Sequence, residues 1–265
     1  MQAAFFDLDK TIIAKSSVIA FGKPFYREGL ISRRTIARGI YAQFVYMLVG
    51  ADEEKMERMR EAMLALTKGW DQQHIKDIVR ETLEAVLSPI TYAEALELLE
   101  EHKRAGRKTV IISSSPVEVV EPLADFLGVD ATIATRGEID ADGKYTGRLD
   151  FYAYGPHKAD AIRELAVREG LDLAGSYAYS DSVTDLPMLE MVGHPVAVNP
   201  DRELARIARE REWEVRVFQR PVRLRDRMPA PSTGQTIAAS SALAAVGTGV
   251  GLYLWLRRRA TTART

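Results

Sequence analysis

The feature that most limits the fold of this chain is a regular alternation of short apolar runs and amphipathic segments between residues 89 and 198. The apolar runs have the length of buried strands, and the segments between them have the apolar spacing of helices. We predict strands at residues 108–112, 131–135, 176–180 and 195–198, and helices at residues 92–105, 116–127, 158–168 and 186–192. This order predicts an α/β fold, with a Rossmann-like parallel sheet that carries helices on both faces.

One segment inside this alternation has a different pattern. Residues 137–150, GEIDADGKYTGRLD, alternate polar and apolar positions around Asp142 and Gly143. An Asp-Gly pair between alternating residues is typical of a β-hairpin. We therefore predict a β-ribbon on the rim of the sheet.

The ends of this region define the remaining domains. Residues 3–9 form a short apolar run that ends in carboxylates, which predicts a buried first strand. Residues 16–88 have helical spacing and few turn residues, so we expect a helical cap inserted after that strand. The α/β core is then formed by residues 1–15 and 89–218.

The C-terminal segment is expected to cross a membrane. Residues 236–256 carry no charge and have the length that a helix needs to span a bilayer, with a linker at 219–235 and a basic tail at 257–265. The alternative is a buried C-terminal helix. Gly247 and Gly251 have the spacing that lets two helices approach closely, which would permit self-association. With no export signal, we expect a single-pass membrane protein whose catalytic domain is cytoplasmic.

Composition excludes several classes of function. The chain of 265 residues has no cysteine, which removes disulfides, thiolate catalysis and cysteine metal sites. Its formal net charge of −1 gives no overall positive field, so we expect no nucleic-acid partner.

Acidic residues follow two of the predicted strands. Asp7 and Asp9 follow the first strand, and Asp181 and Asp185 follow the strand at 176–180. In a parallel sheet such strand ends can lie side by side, and clustered carboxylates suit Mg²⁺. Asp185 has an alternative role as a first-turn acid that interacts with a helix dipole.

A third strand end offers hydroxyl groups. Ser115, Pro116 and Glu118 have the spacing of a helical capping box, which explains them without a ligand. Ser113 and Ser114 lie between the strand and the helix, where hydroxyl and free N–H groups predict a phosphate site.

Lys158 begins another predicted helix, where a cation is unfavourable against the helix dipole. A buried anion would offset that cost. The alternative is an ordinary solvated lysine.

Together, the segments DLDKT and DSVTD, the strand that ends at Ser113, and Lys158 resemble the four ordered motifs of the haloacid dehalogenase-like (HAD) hydrolase superfamily. The resemblance covers residues 3 to about 218. The insert after the first motif resembles the cap of subfamily IB, the phosphoserine-phosphatase-like branch.

The resemblance implies a phosphatase that hydrolyses phosphoric monoesters with Mg²⁺ as cofactor. Asp7 would be the nucleophile that forms an aspartyl-phosphate, and Asp9 would be the general acid and base. Ser113, Ser114 and Lys158 would bind the substrate phosphate, with Asp185 in a supporting role. The metal would be held by Asp7, the backbone carbonyl of Asp9, and Asp181.

The substrate is open at this point. Phosphoserine phosphatases carry a glutamate nine residues after the nucleophile, and this chain has Ser16 there. The candidates are a small-molecule or membrane-associated phosphate, with phosphoserine itself or a lipid phosphate as alternatives. A non-catalytic, membrane-anchored binding module is the alternative from another functional class.

Overall fold

The computed structural model describes residues 1–32 and 53–219, and side chains in its helix at 53–67 from residue 60 onward. Within these residues, no helix is both long enough and apolar enough to cross a membrane. The predicted span at 236–256, with Gly247 and Gly251, lies outside the described residues, as do most of the predicted linker and the basic tail.

A central sheet organises the described residues. It contains β1 (Ala3–Phe6), β2 (Lys108–Pro116), β3 (Ala131–Ile139), β4 (Tyr145–Phe151), β5 (Tyr177–Ser180), β6 (His194–Val198) and β7 (Glu214–Arg216). The spatial order is β4-β3-β2-β1-β5-β6-β7. All neighbouring strands are parallel except β3 and β4, which form the predicted antiparallel ribbon. The sheet is the predicted α/β, Rossmann-like arrangement.

Strand β1 shows why the sheet needs cover on both faces. All of its residues are buried, and their side chains alternate between two apolar clusters. Ala4 and Phe6 belong to one cluster, whereas Ala3 and Phe5 belong to the other. A strand that is apolar on both faces requires helices on each side of the sheet.

The helices supply that cover. They are α1 (Ser17–Ala20), α2 (Gly22–Arg27), α3 (Glu53–Thr67), α4 (Gln72–Leu87), α5 (Ala93–Arg104), α6 (Val117–Leu127), α7 (Pro156–Glu169), α8 (Leu186–Leu189) and α9 (Arg202–Glu210). Leu99 of α5 and Leu123 of α6 pack in the cluster that contains Phe6. Ile162 of α7 and Leu204 of α9 pack in the cluster that contains Phe5.

The described residues between β1 and β2 are mainly helical, as the spacing predicts, and they contact the ribbon. The turn between α3 and α4 extends the ribbon by hydrogen bonds: Gly69 N donates to Tyr145 O at 2.8 Å, and Tyr145 N donates to Trp70 O at 3.0 Å. Trp70 also contacts the ring of Phe25, with ring centroids 6.3 Å apart. The ribbon is therefore joined to the inserted helices by backbone bonds.

The predicted capping box at the start of α6 is wrong. The N-cap residue is Pro116, and no side chain caps the helix. Glu118 is buried and accepts a hydrogen bond from Gln72 Nε2 at 2.7 Å, across to α4. Ser115 contacts Ser17 and Asp9 instead of the helix end. These tertiary partners satisfy the side chains that the local pattern assigned to capping.

Several boundaries also differ from the prediction. β1 ends at Phe6, three residues before Asp9. β2 continues to Pro116 and β3 to Ile139. The helix predicted at 186–192 is shorter, because α8 ends at Leu189, and a 3₁₀ turn, Val183–Asp185, precedes it.

Candidate active site

Three strand ends meet at one edge of the sheet. β1 lies between β2 and β5, and Phe6 pairs with Ile111 on one side and Tyr179 on the other. Asp7 continues from β1 and donates its N–H to Tyr179 O at 2.9 Å. Because the strands are parallel, Asp7 and Asp181, which follow β1 and β5, lie at the same edge as Ser113 of β2.

Lys158 lies between two aspartates at this edge. Its Nζ donates to Asp7 Oδ1 at 2.7 Å and to Asp185 Oδ2 at 2.8 Å. The Lys158 side chain is 3% exposed. Taking one such ammonium from water into a protein costs several kcal/mol unless ionic partners compensate it. The two carboxylates supply this compensation, so the solvated-lysine alternative is excluded.

Local sequence explains how Lys158 reaches this position. Gly155 precedes α7 with a positive φ of 54° and a ψ of −127°, a conformation that favours glycine. Pro156 then begins the helix, where its missing N–H costs nothing. Lys158 therefore lies in the first turn of α7, with its side chain directed to the carboxylates.

Asp185 has a second polar partner. Ser180 Oγ donates to Asp185 Oδ2 at 2.7 Å, and both side chains are buried. Asp185 therefore does more than interact with a helix dipole, because it holds Lys158 against Asp7. Ser180 was not among the predicted site residues. The sequence feature that could have identified Ser180 is a hydroxyl group at the last position of an otherwise apolar strand.

The electrostatics of the cluster favour an additional cation. Burial and the carboxylates of Asp185 and Asp181 raise the pKa of Asp7 to about 8, against the lowering effect of Lys158. Burial opposes the charged form of Lys158, but Asp7 and Asp185 outweigh it and raise its pKa. Burial is also the main reason that the pKa of Asp181 rises to about 6.

The donor set at this edge fits Mg²⁺. Asp7 and Asp181 offer hard carboxylate oxygens, and Lys10 Nζ lies 3.4 Å from Asp181 Oδ2, so this carboxylate already attracts a cation. Across residues 1–32 and 53–219, no group of three or more His, Cys, Asp or Glu side chains is arranged to hold a metal. The predicted set is compatible with that finding, because its third ligand is the backbone carbonyl of Asp9.

Asp9 has a different environment from Asp7. Ser17 N donates to Asp9 Oδ1 at 2.9 Å, and Ser115 Oγ lies 3.4 Å from Asp9 Oδ2. Burial raises the pKa of Asp9, and the neighbouring groups of Ser17, Ser16 and Ser115 oppose that rise. Its carboxyl group is therefore surrounded by hydroxyl and N–H groups.

The two serines predicted to bind phosphate differ in exposure. Ser113 is buried, and its Oγ accepts a hydrogen bond from Ser115 N at 3.1 Å. Ser114 is exposed. Ser113 lies at the edge where the strand ends meet, whereas no contact ties Ser114 to the acidic residues.

Comparisons with known proteins agree with this geometry. The family model for haloacid dehalogenase-like hydrolases matches residues 4–190. The inhibition of morphological differentiation protein of Streptomyces azureus is 53% identical over 97% of this chain and 94% of its own length. A probable phosphatase of Mycobacterium tuberculosis is 52% identical over 97% of this chain and 89% of its own length.

Two further similarities extend the comparison. Phosphoserine phosphatase SerB1 of M. tuberculosis is 36% identical over 92% of this chain and 79% of its own length. A crystal structure of a protein of unknown function from Bordetella pertussis is 29% identical, with a TM-score of 0.71, over 81% of this chain and 97% of that one.

The family match spans the residues that carry Asp7, Lys158 and Asp185, and relatives along nearly the whole chain are named phosphatases. This chain is a phosphatase that belongs to the haloacid dehalogenase-like hydrolase family.

Proposed function

We propose that this enzyme is a Mg²⁺-dependent phosphomonoester hydrolase that forms an aspartyl-phosphate on Asp7. The observation that carries the proposal is the buried contact of Asp7 with Lys158, at 2.7 Å, beside a second acid that touches hydroxyl groups. A carboxylate fixed by an ammonium is positioned for attack on phosphorus, and the ammonium also neutralises part of a phosphate's charge.

The proposed reaction has two steps. A carboxylate oxygen of Asp7 attacks phosphorus, the bond from phosphorus to the ester oxygen breaks, and Asp9 donates a proton to that oxygen. Asp9 then takes a proton from water, the water oxygen bonds to phosphorus, and the bond to Asp7 breaks. Phosphate leaves, and both aspartates return to their starting states.

Each remaining residue has a defined role in this scheme. Lys158 holds Asp7 and a phosphoryl oxygen, and Asp185 fixes Lys158. The Ser113 hydroxyl binds another phosphoryl oxygen. Asp7, Asp181 and the Asp9 carbonyl would hold Mg²⁺, which when bound supplies charge neutralisation between the nucleophile and the phosphate.

The substrate proposal is a small-molecule or membrane-associated phosphate ester. A relative named phosphoserine phosphatase favours phosphoserine as a second candidate. Ser16 counts against it, because a serine hydroxyl carries no charge for a substrate ammonium. We therefore give phosphoserine the lower rank.

The reaction proposal is tested with p-nitrophenyl phosphate on purified full-length protein. Turnover should require Mg²⁺ and stop with EDTA. Asp7→Asn should lower kcat by at least about 10³-fold. Unchanged turnover in Asp7→Asn rejects the mechanism. A panel of phosphometabolites and lipid phosphates then ranks the substrates by kcat/KM.

We also propose that the uncharged run at 236–256 anchors the enzyme in a membrane as a single span, with the catalytic domain in the cytoplasm. Cell fractionation should find the full-length protein with membranes and a variant truncated after Pro221 in the soluble fraction. Equal distribution of the two proteins rejects the anchor.

A further inference from the structure

The Asp9 carboxyl group contacts a pair of buried serines. Ser17 Oγ and Ser115 Oγ are 2.6 Å apart, and Ser17 and Ser115 are 0% and 2% exposed. The Ser17 backbone N–H holds Asp9 Oδ1 at 2.9 Å, and the Ser115 hydroxyl faces Asp9 Oδ2 at 3.4 Å. The pair therefore contacts both oxygens of one carboxyl group.

The two serines come from different parts of the fold. Ser17 begins α1, the first helix after the Asp7 and Asp9 segment, and Ser115 lies near the end of β2. They meet because β1 and β2 are parallel neighbours. The contact thus joins the start of the helical insert to the edge of the core where Asp9 lies.

The polarity of these contacts assigns different roles to the two oxygens of Asp9. An N–H group only donates, so Oδ1 accepts from Ser17 N in either protonation state. A hydroxyl donates or accepts, so the Ser115 hydroxyl is able to face Oδ2 with or without a proton. This arrangement orients the carboxyl group while it gives up and regains a proton.

The contrast with Asp7 supports this interpretation. Asp7 contacts an ammonium, a charged partner that favours its ionised form, whereas Asp9 contacts hydroxyl and N–H groups. Neutral partners orient a proton donor without fixing its charge.

We propose that Ser17 and Ser115 are positioning residues that hold the Asp9 carboxyl group in the orientation for proton transfer to an alkoxide leaving group. The inference rests on the proposed role of Asp9 as acid and base. It also narrows the substrate class to phosphate esters of alcohols, because an alkoxide needs the donated proton far more than a nitrophenolate does.

The test compares two leaving groups in the full-length enzyme with Mg²⁺. For Ser17→Ala, Ser115→Ala and the double variant, kcat/KM for glycerol 2-phosphate should fall about tenfold or more, whereas kcat/KM for p-nitrophenyl phosphate should change by less than about threefold. The ratio kcat/KM is compared because it reports formation of the aspartyl-phosphate and excludes its hydrolysis, in which Asp9 acts as base for either substrate. The double variant should lose less than the product of the single losses, because the serines act through one contact.

A matched control separates positioning from loss of packing. Ser176 is also fully buried, accepts from Ala3 N at 2.9 Å and donates to Asp172 O at 2.6 Å, away from the predicted site residues. Ser176→Ala should leave the ratio of the two kcat/KM values unchanged. Ser115→Cys, which nearly retains the volume and has a weak donor, should change the ratio as Ser115→Ala does.

Two results have distinct meanings. If Asp9→Asn lowers kcat/KM equally for both substrates, the proposed acid role of Asp9 fails, and this inference fails with it. If Asp9→Asn selectively lowers kcat/KM for glycerol 2-phosphate but the Ser17 and Ser115 variants lower it equally for both substrates, the inference alone is overturned. An altered ratio in Ser176→Ala also overturns it.

Discussion

Strands β1 and β5 supply adjacent residues to two buried polar clusters of opposite character. The ionic cluster consists of Asp7, Lys158, Ser180 and Asp185, at the strand ends. The histidine cluster consists of Phe6, His102, Arg107 and Tyr179, one residue earlier on the same strands. The comparison separates buried polar groups that stabilise the fold from those that serve the reaction.

In the histidine cluster, hydrogen bonds satisfy both ring nitrogens of a neutral His102. Arg107 Nη1 lies 3.2 Å from His102 Nδ1, and because arginine only donates, this nitrogen is the acceptor. His102 Nε2 therefore carries the proton and donates to the Tyr179 hydroxyl at 2.7 Å. Phe6 stacks on Tyr179 with ring centroids 4.6 Å apart. The buried imidazole is fully bonded without being charged.

In the ionic cluster, acidic groups outnumber the single ammonium group. Lys158 has two carboxylate partners, and Asp181 adds a third acid that raises the pKa of Asp7. An excess of buried acidic groups is unfavourable in a stable core, but it suits a site that binds a divalent cation together with a phosphate. Burial alone therefore does not identify a functional polar group, whereas burial with uncompensated charge does.

Among the variants that test this contrast, Lys158→Met should have the largest effect. Loss of the ammonium should lower kcat/KM for p-nitrophenyl phosphate by about 10²–10³-fold. It should also lower the free energy of unfolding by about 3–5 kcal/mol, because two carboxylates lose their partner. Urea unfolding in EDTA measures the second quantity.

A double variant separates those two effects. Lys158→Met with Asp185→Asn removes one of the unpaired charges, so it should recover at least about 1 kcal/mol relative to Lys158→Met. Activity should remain low, since the group that holds Asp7 is still absent. Recovery of activity together with stability would mean that Lys158 serves the fold alone.

The sequence was sufficient to predict the ionic cluster in outline. Apolar runs located β1, β2 and β5, and the parallel-sheet rule placed Asp7 and Asp185 at one edge, whereas Lys158 joined them through the resemblance to the HAD motifs. Each of these residues follows a strand or begins a helix, so local patterns identify them.

The sequence was insufficient where partners are distant in the chain. Ser115 and Glu118 matched a capping box, but Ser17 and Gln72 are their partners. No local pattern indicates a role for His102 either, because its contact with Tyr179 spans 77 positions. Pairings at such separation depend on tertiary packing, which a local pattern does not encode.

Helix α9 and strand β7 were also not predicted, although α9 had a local signal. Asp201 caps α9, and its side chain accepts from Glu203 N and Leu204 N. An aspartate before a helical apolar pattern is a usual N-terminal signal.

The next test uses pH, because the clusters respond to acid in opposite directions. Burial, with Arg107 and Arg216, lowers the pKa of His102 from 6.5 to about 4. Between pH 6.5 and 4, the His102 imidazole binds a proton in the unfolded chain but not in the folded chain. The stability contributed by neutral His102 is therefore present above pH 6.5 and lost as the pH falls towards 4, by about 2–3 kcal/mol.

The ionic cluster has the opposite sign. Without metal, the pKa of Asp7 is raised to about 8, so the folded state gains a proton before the unfolded state does, and acid favours folding. His102→Leu should therefore remove the loss of stability between pH 6.5 and 4, so that only the gain of stability from Asp7 remains as the pH falls. Urea unfolding of the wild type and of His102→Leu across that pH range in EDTA measures the two effects. Parallel pH curves for the wild type and His102→Leu would contradict the assignment.

The smallest expected effect is that of Arg107, which helps to lower the pKa of His102 in the histidine cluster. Arg107→Met retains the apolar stem but removes the guanidinium that donates to His102 Nδ1. The pKa of His102 should rise towards 6.5, and its pH-dependent loss of stability should shrink by about 1 kcal/mol. NMR titration of His102 measures this shift. Arg216→Met is the matched control, because Arg216 also lowers the pKa of His102 but ranks after Arg107 among the causes. An equal or larger shift in Arg216→Met would show that general positive charge, rather than the bond to Nδ1, keeps His102 neutral.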